Sequence, residues 1–257
     1  MTGMDPWISA FERMSARHWQ ATEQAHLGGW LLRAAGGFTG RANSALPLGE
    51  PGMPTERAVD EVEVWYRRRG LKPMIVIATG LDADGSALDH LLARRGWPRR
   101  PAPALVMTAS TGVVVGRLRP PSPPRDTELT FAPEPDEKWL TAYRYRGQQL
   151  PAPALPVLLS APVQVFASVR RDGRTIATGR LSLADGWGGL TAIEVDPACR
   201  RAGLGTLVTE GLAAQASARA AERIFLQVEE ANTAARTLYE RCGFAGRHRY
   251  HYRIAPG

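Results

Sequence analysis

The chain has 257 residues, 44% of them hydrophobic and 22% charged, a globular composition that excludes a disordered, collagenous or coiled-coil protein as its main character. Two cysteines, Cys199 and Cys242, exclude a disulfide scaffold and lack the paired spacing of a zinc site, and no apolar run approaches the roughly 20 residues of a membrane span. The net charge is +7, and Lys72 and Lys138 are the only lysines among 32 basic residues, so the other 30 are arginines; this reads as a GC-rich coding bias. The dense clusters at residues 67–69 and 94–100 come with no recognised nucleic-acid motif and read as solvated faces. Near the N-terminus, Asp5, Glu12, Arg13 and Arg17 interrupt the apolar residues, so no secretory signal is read there. The expectation is a soluble, reduced, cytoplasmic protein without a metal.

In chain order, residues 30–34 and 38–45 read as a hairpin around Gly36-Gly37. A helix follows at 55–69, an apolar strand at 74–79, a helix at 86–95 and a strand at 104–109. Residues 119–126, Arg-Pro-Pro-Ser-Pro-Pro-Arg-Asp, place four prolines within five positions, which no helix or central strand tolerates. They are read as a semi-rigid linker between a first domain of residues 1–118 and a second of 127–257. Beyond it come a strand at 128–131, a helix at 136–146 and a proline-rich loop at 150–156. Strands at 163–170, 175–184 and 190–195 are joined by the turn pairs Asp172-Gly173 and Asp185-Gly186. A helix at 203–221, a strand at 223–228, a helix at 232–242 and a closing strand at 247–254 complete the chain. Asn232 suits the N-cap of the last helix and Gly243 its C-terminal stop. Gly36-Gly37-Phe38-Thr39 is similar to Gly188-Gly189-Leu190-Thr191. Residues 91–97 (Leu-Leu-Ala-Arg-Arg-Gly-Trp) are similar to 238–244 (Leu-Tyr-Glu-Arg-Cys-Gly-Phe). The shared order of these matches points to a tandem repeat.

The chemically informative stretch follows the strand ending at Val195: Asp196-Pro197-Ala198-Cys199-Arg200-Arg201-Ala202-Gly203-Leu204-Gly205. The start of a helix leaves backbone N–H groups unpaired at a positive dipole end. Glycines let a ligand approach that backbone, and two arginines add charge. The pattern Arg-x-x-Gly-x-Gly is therefore an anion cradle suited to a diphosphate. It is neither the nucleoside-triphosphate loop, which needs Gly-Lys-Ser/Thr, nor the three-glycine dinucleotide fingerprint. About 27 residues later stands Asn232-x-x-Ala235-x-x-Leu238-Tyr239-x-x-x-Gly243-Phe244.

Together these two motifs resemble the GNAT superfamily of N-acetyltransferases, which move acetyl from acetyl-CoA to an amine. The resemblance covers residues 128–254, strand order included. It implies tandem GNAT-like α/β (α+β) folds, each a mixed, mostly antiparallel sheet flanked by helices. It further implies a CoA-binding wedge between Val195 and Val228. Backbone groups of Ile193 and Val195 would lie along the pantetheine arm, Arg200, Arg201, Ala202, Gly203, Leu204, Gly205 and Thr206 would hold the diphosphate, and Asn232 would bond the pantetheine. Tyr239 would protonate the departing thiolate, since a phenol is protonated at neutral pH. Some protein-N-terminus acetyltransferases of this superfamily carry a glutamate five residues before the motif's asparagine. Here that position is Gln227, which cannot serve as a base, so Glu194 is preferred, with Glu229 as alternative. Cys242 reads as a small buried residue.

The first half lacks the cradle: Glu50, Pro51 and Pro54 stand where donors would be needed, as in a degenerate repeat. Its segment 30–48 is similar to a group of actinobacterial two-part GNAT proteins, some described as N-acetylglutamate synthases. That likeness implies carboxylate recognition by Arg33, Arg41 and Asn43. The expected activity is direct acetyl transfer from acetyl-CoA, in a ternary complex, to a small primary amine such as glutamate. An antibiotic-modifying enzyme, a protein acetyltransferase and a non-catalytic CoA-binding regulator are the alternatives. The expected partner is the small amine, with no nucleic acid and no membrane; an oligomer is not indicated.

Overall fold

The computed structural model describes residues 4–83, 85–117, 126–145 and 147–257. The chain opens with α1 (Pro6–Ala16), β1 (Glu23–Leu27), β2 (Trp30–Ala34) and β3 (Leu46–Pro47). It continues through α2 (Thr55–Arg67), β4 (Met74–Gly80), α3 (Ala87–Arg94), β5 (Ala104–Ser110) and α4 (Thr111–Arg117). The remainder holds β6 (Glu128–Ala132), α5 (Glu137–Ala142), α6 (Ala154–Leu158), β7 (Val163–Arg171), β8 (Arg174–Ala184) and β9 (Trp187–Val195). It ends with α7 (Leu204–Ser217), β10 (Arg223–Glu229), α8 (Thr233–Arg241) and β11 (Ala245–Ile254).

Eight strands form one mixed, mostly antiparallel sheet in the order β4-β11-β5-β10-β9-β8-β7-β6, and β1-β2-β3 form a small second sheet. Among the described strands of the large sheet, β9 and β10 pair in parallel and the other neighbours antiparallel. The hairpins β7-β8 and β8-β9 turn at the two Asp-Gly pairs. Asp172 and Gly173 have φ of 51° and 72°, Asp185 and Gly186 of 52° and 73°, the double left-handed geometry whose twist suits a two-residue hairpin. Helices cover the sheet. Leu204, Leu207, Val208, Leu212 and Ala213 of α7 pack on β7, β8 and β9, while Ile8 and Phe11 of α1 pack with Val76, Val106 and Phe225. That covering explains the uninterrupted burial of Thr175 to Ser182 along β8, since a strand buried on both faces loses the polar alternation. Asp5 caps α1, accepting from the N–H groups of Trp7 and Ile8, with Pro6 in the first turn.

Four local readings need correction. Residues 38–45 are not a strand; β2 pairs instead with β1 and, at its start, with β3. Left-handed Gly36, Gly37 and Thr39 break the extension, and the Asn43 side chain replaces a ladder. Its Oδ1 accepts from Ala35 and Gly37 N–H, and its Nδ2 donates to the carbonyls of Phe38 and Thr39. The helix expected to reach residue 146 ends at Ala142, and the helix expected to reach residue 221 ends at Ser217. The proline-rich loop carries the short helix α6. Of the expected linker, residues 119–125 lie outside the described residues. The sheet nevertheless runs through both sequence halves: β11 lies between β4 and β5, pairing with each.

Candidate active site

A wedge opens where β9 and β10 part. They are paired from Trp187 and Arg223 to Leu190 and Leu226. From there β9 continues to Val195 and β10 to Glu229 with no further ladder pairing between them among the described residues. The cause lies on the other edge of β9. Its register against β8 slips so that Gly179 opposes both Ala192 and Ile193, and Ala192 takes a φ of 54°. Such a bulge bends the strand. Gly179 also lets α7 lie close behind the bulge, because a Cβ there would strike Val208 and Leu212 of that helix. The wedge forms a cleft of about 420 Å³ whose walls include Glu194, Asn232, Tyr239, Arg41, Arg100 and Tyr252.

Below the wedge, the chain passes from β9 into α7. Asp196 caps a short 3-10 turn, accepting from Ala198 N–H, and pairs with Arg174. Arg201 and Gly203 then adopt left-handed φ of 66° and 76°. For Arg201 this costs about 1 kcal/mol, the sort of strain kept at ligand-binding loops. The helix begins at Leu204 with no side-chain cap. Among the described residues, the backbone N–H groups of Arg201, Ala202, Gly203, Leu204, Gly205 and Thr206 have no hydrogen-bond acceptor, and the space beside Gly203 is open. Arg200 is exposed, its Nε 3.4 Å from the Val195 carbonyl and its Nη2 3.9 Å from Glu194 Oε1. Six unpaired donors, a helix dipole and two arginines fit the diphosphate of CoA.

Tyr239 projects from α8 with its ring buried and packed edge-on to Phe244 at 5.9 Å. Burial pushes its pKa upward, with Cys242 adding to the effect, so the phenol stays protonated at neutral pH. Its hydroxyl has no hydrogen-bond partner among the described residues, although Tyr239 lines the cleft. Glu194 is half-buried on β9; burial raises its pKa, and Arg200 opposes the rise. Ile193 and Val195 flank it on the unpaired stretch. Asn232 Oδ1 caps α8, accepting from Ala235 N–H at 3.1 Å, and the residue lines the cleft as well. Glu229 stands on the cleft wall at the end of β10. Cys242 is buried, its thiol pushed up to about 11 by burial and then by Glu210, and is no nucleophile.

The three first-half candidates separate. Arg33 is buried, its Nε donating to the Ser44 carbonyl at 3.1 Å and its Nη2 to Ser44 Oγ at 3.0 Å. Asn43 is committed to the loop described above. Both brace residues 36–45 and leave Arg41 to reach the cleft. There Arg41 Nη1 donates to Gln227 Oε1 at 2.7 Å, and its guanidinium lies 4.7 Å from the centre of the Trp19 ring. Sequence reasoning missed Trp19, Arg100, Tyr250 and Tyr252. The two tyrosines had a signal: they alternate along the closing strand, so both face one side of the sheet. His18, also unassigned, is buried beside the wedge. Its Nδ1 lies 2.9 Å from Ser182 Oγ, and burial lowers its pKa to about 4, so it is neutral.

Comparison with known proteins agrees with this architecture. A family model described as "Probable histone acetyltransferase Rv0428c C-terminal" matches residues 7–253. The chain is 32% identical over 256 residues to the uncharacterized N-acetyltransferase YobR of Bacillus subtilis, covering 96% of this chain and 98% of that protein. It is 28% identical over 251 residues to the probable histone acetyltransferase Rv0428c of Mycobacterium tuberculosis, covering 95% and 73%. Among solved structures, a GCN5-related N-acetyltransferase from Kribbella flavida superposes with a TM-score of 0.68 at 17% identity, covering 100% of this chain and 97% of that one. A tandem GNAT protein from the clavulanic acid biosynthesis pathway gives 0.62 at 14% identity, covering 83% and 76%. Matched over nearly its whole length, the chain belongs to the Rv0428c C-terminal family and is a GNAT N-acetyltransferase.

Proposed function

We propose that this enzyme transfers acetyl from acetyl-CoA to the primary amine of a small molecule, an amino acid such as glutamate, by direct transfer in a ternary complex. The observation that carries this function is the parting of β9 and β10 beyond Leu190 and Leu226, directly above the unpaired amides at the start of α7. When bound, acetyl-CoA supplies a thioester carbonyl carbon that the amine nitrogen attacks as the carbon–sulfur bond breaks. The loop at residues 200–206 would hold the diphosphate, and the free edge of β9 at residues 193–195 the pantetheine. Backbone N–H near Val195 would steady the carbonyl oxygen as it gains charge. Glu194, made more basic by burial, would take the ammonium proton of the acceptor before attack. Tyr239, whose hydroxyl is uncommitted, would give its proton to the leaving sulfur, and the proton that the nitrogen sheds on becoming an amide would restore the phenol.

A histone is the acceptor named for the mycobacterial relative. A lysine-rich tail entering this cleft would meet Arg41, Arg100 and Arg144 on its walls, and like charges facing one another disfavour it. Gln227 of β10, where some protein-N-terminus acetyltransferases of the superfamily carry glutamate, is moreover neutral. Both features favour a small acceptor. The test is an amine screen with the purified chain, led by glutamate and other amino acids, reading release of free thiol from acetyl-CoA alongside thermal stabilisation by acetyl-CoA alone. Stabilisation with amine-dependent thiol release is expected. Stabilisation without release from any amine would leave a CoA-binding regulator, and no stabilisation would refute the proposed cofactor.

A further inference from the structure

We propose that Arg41 and Arg100 together bind a carboxylate on the acceptor, and that Gln227 is the positioning residue that holds Arg41 in place without cancelling its charge. This rests on the acetyl-transfer reading above and adds what the cleft selects. Most guanidiniums near this region are spent. Arg99 is bound to Asp89, Arg174 to Asp196, and Arg33 to Ser44. Neither Arg41 nor Arg100 has a carboxylate within ion-pairing distance among the described residues, yet both line the cleft.

Arg41 is held from two directions. Gln227 Oε1 accepts from its Nη1 at 2.7 Å and from Tyr250 Oη at 3.1 Å. Two donors on one oxygen fix which way the amide points, with its oxygen toward the arginine. The face of Trp19 supports the guanidinium at 4.7 Å. The same ring lies 5.2 Å from the guanidinium of Arg180, which is fully buried and whose Nη2 has no partner. A buried cation thus stands behind the half-buried Arg41, and its field reaches the cleft through a low-dielectric wall. Glu12, the nearby acid on α1, is engaged by His248 Nε2 at 2.6 Å.

Arg100 comes from the loop before β5 and lies beside the backbone of residue 40. A Cβ on Gly40 would sit 2.9 Å from Arg100 Nη1 and 2.8 Å from Tyr252 Cζ. Its guanidinium is 5.6 Å from the centre of the Tyr252 ring, and its Nη1 makes a weak contact to Met74 Sδ at 3.8 Å. Two guanidiniums on the wall of one cleft, each with donors to spare, match a planar oxyanion. The residue at 227 then acquires a reason. A glutamate there would form an ion pair with Arg41 and silence it, whereas glutamine orients it by hydrogen bonding alone. The ligand class is an amine that also carries a carboxylate.

The experiment is steady-state thiol release by the full chain with acetyl-CoA and matched acceptor pairs, each an L-amino acid and its α- or side-chain carboxamide, with glutamate first. The wild type should prefer an acid over its carboxamide by more than about tenfold in kcat/KM. Arg41→Gln, Arg100→Gln and Gln227→Glu should each collapse that ratio, chiefly through KM for the acid. Retained thermal stabilisation by acetyl-CoA shows that each variant is folded. Equal use of acids and carboxamides by the wild type overturns the proposal while leaving acetyl transfer intact. Loss on both members of a pair alike also overturns it. If Gln227→Glu speeds both, residue 227 is a base position and its positioning role is wrong. No thiol release from any amine would sink the acetyl-transfer reading, and this one with it.

Discussion

Replacing Tyr239 by phenylalanine removes one oxygen from a buried ring, and the structure separates what that oxygen does for folding from what it does for chemistry. A buried tyrosine kept for structure bonds its hydroxyl. Tyr66 does so, its Oη donating to the Arg33 carbonyl at 2.9 Å and accepting from Arg33 N–H at 3.1 Å. Tyr239 Oη makes no such bond, while its ring keeps its contact with Phe244 in either form. The substitution should therefore move stability by less than about 0.5 kcal/mol, whereas Tyr66→Phe should cost about 1–3 kcal/mol by leaving backbone groups unpaired. Loss of a general acid lowers turnover by about 10²–10⁴, or about 3–5 kcal/mol of barrier. Acetyl-CoA affinity, read as thermal stabilisation, should hardly change, because the diphosphate cradle is untouched. The assay is thiol release at saturating acetyl-CoA with the best amine of the screen. Since burial keeps the phenol protonated well past neutrality, the wild type should show no alkaline loss of this proton below pH 10. Turnover within twofold of wild type would remove Tyr239 from its assigned role.

Three other substitutions probe the frame around the wedge. Gly203→Glu sets a carboxylate where the backbone is left-handed and the adjacent space is open; stabilisation by acetyl-CoA should vanish, and wild-type affinity would refute the diphosphate placement. Asp89 is fully buried, accepting from Arg253 Nε at 2.7 Å, His251 Nε2 at 2.9 Å and Arg99 Nη2 at 2.6 Å. Burial alone would raise its carboxyl, but these donors outweigh it and hold the pKa well below the ordinary 3.8. Asp89→Asn should thus cost about 3 kcal/mol at pH 7. The ionised carboxylate's contribution is full above pH 3.8 and disappears as pH falls through the lowered value, so the deficit should shrink in acid-denaturation curves; a constant deficit would argue against the ion pairs. Glu210 on α7 is buried with neither carboxyl oxygen bonded, and burial pushes it up to about 7 from 4.5. Its raised value means that stability is lost as pH rises from 4.5 through 7, by at most about 3.4 kcal/mol at 1.36 kcal/mol per unit. Glu210→Gln should then raise the melting temperature at pH 8 but not at pH 4; equal effects at both would show that the carboxyl is hydrated.

What could be read from the sequence was whatever is encoded by neighbours. The Asp-Gly turns, the Asn232 cap and the glycine-marked start of α7 are each specified within a few residues, and all three stand as expected. What escaped depends on distant partners. Residues 38–45 follow Gly36-Gly37 as the second arm of a hairpin would, and nothing local shows that Asn43 will take four backbone groups and hold them as a loop. Arg33 and Arg41 look alike in sequence; burial against Ser44 consumes one, and Gln227, 186 positions away, directs the other. Arg99 and Arg100 were one charged cluster until Asp89 claimed the first and the cleft received the second. The wedge itself was expected between Val195 and Val228 only through resemblance. Its physical cause, the slip at Gly179, is a register event between strands that local sequence patterns do not encode.

The position of β11 ties these observations together. Each half contains a strand–helix–strand unit, β4-α3-β5 and β10-α8-β11, whose two strands are not neighbours. The gap between β4 and β5 is filled by β11, and the gap between β11 and β10 by β5. Each unit thus completes its sheet with the other's last strand. The similar sequences 91–97 and 238–244 end the two helices in the same way, each stopping at a left-handed glycine, Gly96 and Gly243. One consequence is chemical. Because β5 lies against β10, the chain just before β5 brings Arg100 to the wedge, and because β11 lies between β4 and β5, Tyr250 and Tyr252 reach it as well. The first half is held in the sheet by hydrogen bonds on both sides of β11, and from there it supplies the part of the cleft wall that carries Arg41 and Arg100. Removing it would expose three strand edges, both of β11 and one of β10, and strip the cleft of Arg41 and Arg100 together, so the proposed carboxylate site and closure of the sheet rest on the same exchange of strands.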